Sequence, residues 1–194
     1  MNNVILKTAI QTSVTVIIAL AIAFGIASLG FPQHMATMFE RMGSYSFATG
    51  YASLRYTYTG EMPDLARCVE DSLLAKSDSN VVSFGDRFIS DRQAFEEYCT
   101  TRTDFKWDYR QYILGGLSVS KYRTGDSDGA IEAVILALSA VSGFPVPNAA
   151  GDLAQEIKSS DAQLKSRLYS IVLERVPSES ESAYHTAVLR VLSE

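Results

Sequence analysis

The sequence predicts an all-α protein: one N-terminal transmembrane helix followed by a short α-solenoid of antiparallel helical hairpins. Three observations carry this. Residues Thr8 to Phe31 form a run of 24 side chains without a formal charge. Downstream, apolar positions recur at helical spacing in segments of about ten to fifteen residues, broken by Gly, Pro, Ser and Asp, with no alternating strand pattern. Finally, the chain resembles itself at an offset of 65 residues.

The apolar run comes first. As a helix rising about 1.5 Å per residue, 24 residues reach roughly 36 Å, enough to cross a bilayer core. Residues 1–31 therefore read as a transmembrane anchor and 32–194 as the domain it carries. A cleaved signal peptide is the competing reading, since Lys7 gives a positive start and Ala21-Ile22-Ala23 is a small-x-small triplet. Apolar character continues past that triplet through Phe24, Ile26 and Leu29, which favours an uncleaved anchor. Lys7 and the α-amine lie on one side, while Arg41 on the other is offset by Glu40, so the positive-inside rule places the N-terminus inside and the domain outside. Within the anchor, Ala19, Ala23 and Ala27 recur every four residues, a small-residue ridge on which two membrane helices can pack and a route to a homo-oligomer.

Charge narrows the function. Lys7 is the one formally charged side chain in residues 1–31, and the remaining 16 basic and 22 acidic side chains give residues 32–194 a net charge of −6. Such a domain has no electrostatic footprint for nucleic acid or an anionic lipid surface. At 194 residues the chain fits one ordinary domain with a core, plus the accessory segment.

After Pro32 stops the first helix, the pattern predicts helices over residues 33–42, 44–58, 63–75, 79–90, 92–101, 108–123, 128–141, 149–158, 161–175 and 179–193. Capping boxes mark two starts, Ser160 with Gln163 and Ser178 with Glu181. Cys68 and Cys99, on separate helices and without CxxC or His neighbours, read as buried free thiols, a disulfide being the alternative if the domain is extracytoplasmic. The tyrosines and phenylalanine of residues 45–58 crowd one hairpin near the membrane exit, where core packing and an interfacial belt are both open readings.

Short connections put successive helices antiparallel and in contact. At the 65-residue offset, Gly50 matches Gly115, Ser53 Ser118, Thr59 Thr124, Gly60 Gly125, Val69 Val134 and Leu73 Leu138, with Phe47 and Tyr112, Leu54 and Val119, Glu61 and Asp126, and Leu65 and Ala130 as conservative pairs. That offset is about two helical-hairpin periods, with residues 79–104 as a shortened unit between the copies.

Residues 114–138 resemble the tetratricopeptide repeat. Tyr122-Arg123-Thr124-Gly125-Asp126 is similar to its turn, Leu117 to its first-helix leucine, and Ala130 and Ala137 to its second-helix alanines. The chain departs from the pattern with Leu114 in place of tryptophan, Ser118 in place of glycine, Val134 in place of an aromatic, a late Pro145, and Leu65 in an alanine place of the first copy. The resemblance implies a protein-binding concave face lined by the first helix of each hairpin. On the matching helix here, that face comprises Tyr112, Val119, Tyr122 and Arg123, with Phe47, Leu54 and Thr57 as weaker first-copy equivalents. The competing reading for Tyr112 and Tyr122 is packing against neighbouring hairpins.

No catalytic signature emerges. His34 and His185 stand far apart; HExxH, GxSxG and a phosphate-cradling glycine loop are missing, and Leu114-Gly115-Gly116-Leu117 has no lysine at the required spacing. Adjacent acids such as Glu70-Asp71 and Glu96-Glu97 splay around their helices. The expectation is a non-catalytic, membrane-anchored scaffold that binds another protein, without metal or cofactor; the alternative is an accessory subunit acting through its transmembrane helix, with the helical domain as cap or spacer.

Overall fold

The computed structural model describes residues 2–103, 108–139, 148–157, 161–176 and 183–193, and for a few of these, at either end of the chain, the backbone alone. Among them are eleven helices and no strand: α1 (Asn2–Gly30), α2 (Pro32–Arg41), α3 (Tyr45–Thr59), α4 (Met62–Leu74), α5 (Asp78–Ser90), α6 (Arg92–Thr101), α7 (Tyr109–Arg123), α8 (Ser127–Leu138), α9 (Asn148–Glu156), α10 (Ala162–Arg175) and α11 (Ala183–Ser193). The all-helical reading holds, most ends falling within a residue or two of expectation. The Ser178 cap lies outside the described residues, as does Ser160. Helix α10 starts at Ala162 with Asp161 as its N-cap, and that carboxylate makes no capping bond to the helix. It accepts the Tyr122 hydroxyl instead.

Helix α1 contains a 21-residue span, Ile10–Gly30, long and apolar enough to cross a membrane. Among the described residues no helix covers the large apolar side chains of that span, which are exposed from Ile10 to Leu29. One residue, Phe31, separates it from α2.

The hairpins are closed by local chemistry. Gly43, Gly60 and Gly125 take positive φ of 71°, 64° and 92°, a conformation that costs little only without a Cβ. At Gly125 the Asp126 amide bonds back to the Lys121 carbonyl at 2.8 Å and the Gly125 amide to Tyr122 at 3.0 Å, satisfying the last carbonyls of α7. Asp126 then opens α8 by accepting the Gly129 amide at 2.9 Å, which draws its carboxyl below the usual range.

Three hairpins, α5–α6, α7–α8 and α9–α10, stack so that α5, α7 and α9 lie side by side in one row, with α8 against α10 behind it; α11 closes the end on α9 and α10. The hairpin α3–α4 joins through α4, which packs on α5 and touches α6 and α7. The core is continuous, running from Leu65 and Val69 through Phe88, Phe95, Ile113, Leu117, Ile131 and Val134 to Leu153, Leu168 and Val172. An aromatic ladder threads it: Phe88 meets Phe95 edge-on at 5.1 Å and Tyr98 at 5.7 Å, and Tyr98 meets Tyr109 at 5.9 Å. Cys68 is buried and Cys99 half-buried, both free; burial pushes each thiol up to about 12, leaving it a neutral packing group.

Candidate partner-binding groove

Helix α7 is the hub of the stack. Towards α4, the Tyr109 hydroxyl donates to Glu70 at 2.6 Å, and Glu70 also holds Arg102 at 2.6 Å. Towards α6, the buried Arg110 reaches Glu96 at 3.0 Å while donating to the Ala137 carbonyl at 2.7 Å. Gln111 joins two helix ends: its amide nitrogen donates to the same Ala137 carbonyl at 2.8 Å and its oxygen accepts the Ala149 amide at 3.2 Å. The end of α8 and the start of α9 thus satisfy backbone groups they lack partners for within their own helices. Towards α5, Ser120 donates to Asp78 at 2.9 Å and Lys121 pairs with Asp86 at 2.9 Å. Burial alone would lower the Lys121 pKa, but its bonds to Asp86 and Asp126 outweigh burial and raise it.

Two glycines set how close the neighbours come. A Cβ at Gly116 would sit 2.3 Å from Leu73 of α4, and one at Gly115 would sit 2.6 Å from the Asp152 carboxylate and 3.4 Å from the α9 backbone at Ala149. Leu114-Gly115-Gly116-Leu117 is therefore a crossing point: small residues let three helices pack closely, and their leucine flanks fill the core.

Beside this crossing runs an open groove of about 210 Å³ bounded by α4, α5, α7 and α9. Three of the four expected concave-face residues line it: Tyr112 and Val119, both half-buried, and the exposed Arg123. Leu73, Lys76, Asp78 and Asp152 are among the other residues that line it. Tyr112 is held neutral more firmly than usual, by burial and then by the nearby Glu70 charge. Arg123 spans two carboxylates, a forked contact to Glu156 at 2.9 and 2.8 Å and a longer one to Asp78 at 3.7 Å. Tyr122, half-buried, turns away from the groove to the start of α10.

Lys76 could not be found from the pattern. It ends α4 with φ of +55°, among the described residues the only non-glycine with positive φ, at a turn where α2, α3 and α7 use glycine. The side chain is exposed at the groove rim with no ion-pair partner among the described residues. A Cβ there costs about 1 kcal/mol. The adjacent Gly115 and Gly116 were the available sequence signal for a close crossing and hence for a groove beside it.

On α1, Ala19 and Ala23 are exposed and Ala27 is half-buried. His34 lies on α2 with its ring edge-on to Phe31 at 6.0 Å; His185 lies on α11, its side chain outside the described residues. No cluster of three His, Cys, Asp or Glu that could hold a metal occurs among the described residues. Compared with family models, curated proteins and solved structures, this chain has no match.

Proposed function

We propose that this is a single-pass membrane protein displaying a tetratricopeptide-like helical stack that binds or scaffolds another protein and performs no chemistry. The observation that carries the reading is the convergence of Tyr112, Val119 and Arg123 on one groove along α7. Its lining suits a protein segment: Leu73 and Val119 offer apolar area, Tyr112 a rigid amphipathic ring, and Lys76 an exposed ammonium for a carboxylate. The strained turn at Lys76 supports a functional demand for that charge, since glycine serves the same turn elsewhere.

The test is site-specific photocrosslinking from Val119 in the full chain in its native membrane, against the same probe at the exposed Glu132 of α8. The reading expects a discrete adduct from residue 119, lost on Lys76→Glu and absent from residue 132. Equal or no crosslinking from the two positions overturns it. A second reading, an accessory subunit working through its anchor, draws on the Ala19, Ala23 and Ala27 ridge along α1, of which Ala19 and Ala23 are exposed. Changing those alanines to leucine would then abolish association, with a partner or with a second copy, while Lys76→Glu would leave it intact.

A further inference from the structure

The corner where α2 meets α3 carries apolar surface that no described residue covers. Phe31 is 59% exposed, Met42 66% and Phe47 64%, and Met38 is exposed beside them on α2. These four side chains fall within seventeen consecutive residues, whereas the other exposed large apolar side chains of the domain, Tyr58, Leu74 and Leu173, stand singly on three different helices, and clustered exposed apolar side chains on a folded domain mark contact surfaces.

Their position relative to α1 identifies the contact. The span Ile10–Gly30 has 21 residues, about 31 Å of helix at about 1.5 Å per residue, which matches a hydrocarbon core of about 30 Å. Ser28 lies two residues from its end. It is the one buried residue of that span, and the Tyr51 hydroxyl of α3 donates to its Oγ at 3.0 Å. That bond holds α3 at the level where the apolar span stops. Phe39 of α2 stacks on Tyr51 at 5.5 Å with planes 6° apart, and on Phe47 at 5.2 Å, so the exposed Phe47 ring is tied to the same level. With only Phe31 between α1 and α2, the amphipathic α2 starts at the same boundary.

Electrostatics agrees. Glu40 and Arg41 are the formally charged residues of α2. Glu40 is drawn inward to Arg67 of α4, whose guanidinium also donates to Thr37 at 2.8 Å, which takes the carboxylate off the patch. Arg41 stays exposed beside Met38 and Met42, where a long basic side chain can keep its charge in the wet outer headgroup layer while its stem lies along the apolar side chains, so the main attraction is apolar.

We propose that Phe31, Met38, Met42 and Phe47 sit in the headgroup layer of the bilayer that holds α1, so that the domain lies against the membrane through a second, interfacial contact. Aromatic and amphipathic side chains favour that layer because one face meets acyl carbon and the other stays wet. This rests on α1 spanning the membrane, and the experiment separates the two. Single tryptophan reporters replace Phe47, Leu20 of α1 or the exposed Leu173 of α10, in a Trp107→Phe background that removes the one native tryptophan. The full chain is reconstituted in phosphatidylcholine vesicles brominated on the upper acyl chain. Should that background lose helicity, the reporters are read in the Trp107 chain after subtraction of the native signal. The proposal expects Phe47→Trp and Leu20→Trp each to be quenched about threefold more than Leu173→Trp. Quenching at position 20 but not at 47 overturns the interfacial contact and leaves the anchor standing. Failure at both removes the anchor and the contact together. A blue-shifted but unquenched reporter at 47 assigns the patch to a second copy of the chain and also overturns the proposal.

Discussion

The hairpins α3–α4 and α7–α8 share a pattern and differ in fate. Their helices begin and end at matching positions, and the paired glycines Gly60 and Gly125 both adopt the left-handed turn, at 64° and 92°. Glu61 and Asp126 each occupy the N-cap that follows. Inward-facing residues agree as well, Val69 with Val134 and Leu65 with Ala130 all being buried. On the first helices the agreement ends. Gly115 is buried under α9, while Gly50 is exposed with nothing within 4 Å of where a Cβ would stand. Tyr112 is half-buried in the groove, whereas Phe47 is 64% exposed. One local code makes both hairpins; what differs is whether a further hairpin row covers the outer face. Helix α7 has α5 and α9 on its flanks, whereas α3 has α2 and, through Tyr51, the end of α1.

That contrast can be broken first at the matched glycines. Gly115→Leu must separate α7 from α9 and should destabilise by about 3 kcal/mol, while Gly50→Leu, replacing an exposed glycine inside a helix, should stabilise by about 0.5–1 kcal/mol. Thermal unfolding followed by circular dichroism in detergent checks both, and equal losses would mean that α9 does not cover α7 as described.

The next largest effect separates Asp71 from its counterpart Leu136. Asp71 is buried, one carboxylate oxygen has no hydrogen-bond partner among the described residues, and burial followed by the nearby Glu40 pushes it up to about 7. An unfolded aspartate titrates near 3.9, so between about pH 4 and pH 7 the folded chain binds more protons. Stability is therefore highest below this window, falls as pH rises through it, and bears the full penalty above pH 7, on the order of 2 kcal/mol. Asp71→Leu, which copies the second hairpin, should flatten the difference in unfolding midpoint between pH 5 and pH 8 and raise stability at pH 8; an unchanged slope would assign the titration to another group.

The turns should behave alike. Gly60→Ala and Gly125→Ala are each expected to cost about 1 kcal/mol, because both place a Cβ in the left-handed region. Unfolding free energies differing by more than about 1 kcal/mol would show that the two turns are not equivalent. The smallest effects fall where the second hairpin has gained contacts. Tyr122→Phe loses the bond to Asp161, and Arg123→Ala loses a partly exposed pair with Glu156; each should cost about 1 kcal/mol or less. Losses well above that, measured in the same unfolding assay, would make these contacts structural anchors of the stack.

Much of the architecture was legible from the residues. Pro32, Gly60, Gly125 and Asp126 act through their own backbone preferences, and apolar spacing marks the buried faces, so helix existence, helix ends and the uncharged length of α1 followed without tertiary information. Tyr122 shows the other side. It stands among the expected concave-face residues, with packing as the competing reading, and its hydroxyl reaches Asp161, 39 residues further along, a separation that no local pattern encodes. The same holds for Lys76, whose strain shows only in its backbone angle, and for the Glu40, Arg67 and Asp71 cluster, which joins α2 to α4.

By itself, the sequence determined the helices, their turns and the apolar reach of α1, because each depends on residues within a few positions of one another. The tertiary structure alone decided which of two like faces would be covered, which tyrosine would line the groove, and which apolar side chains would remain outside. Those outcomes depend on which helix arrives as a neighbour, and that is settled by packing between segments distant along the chain.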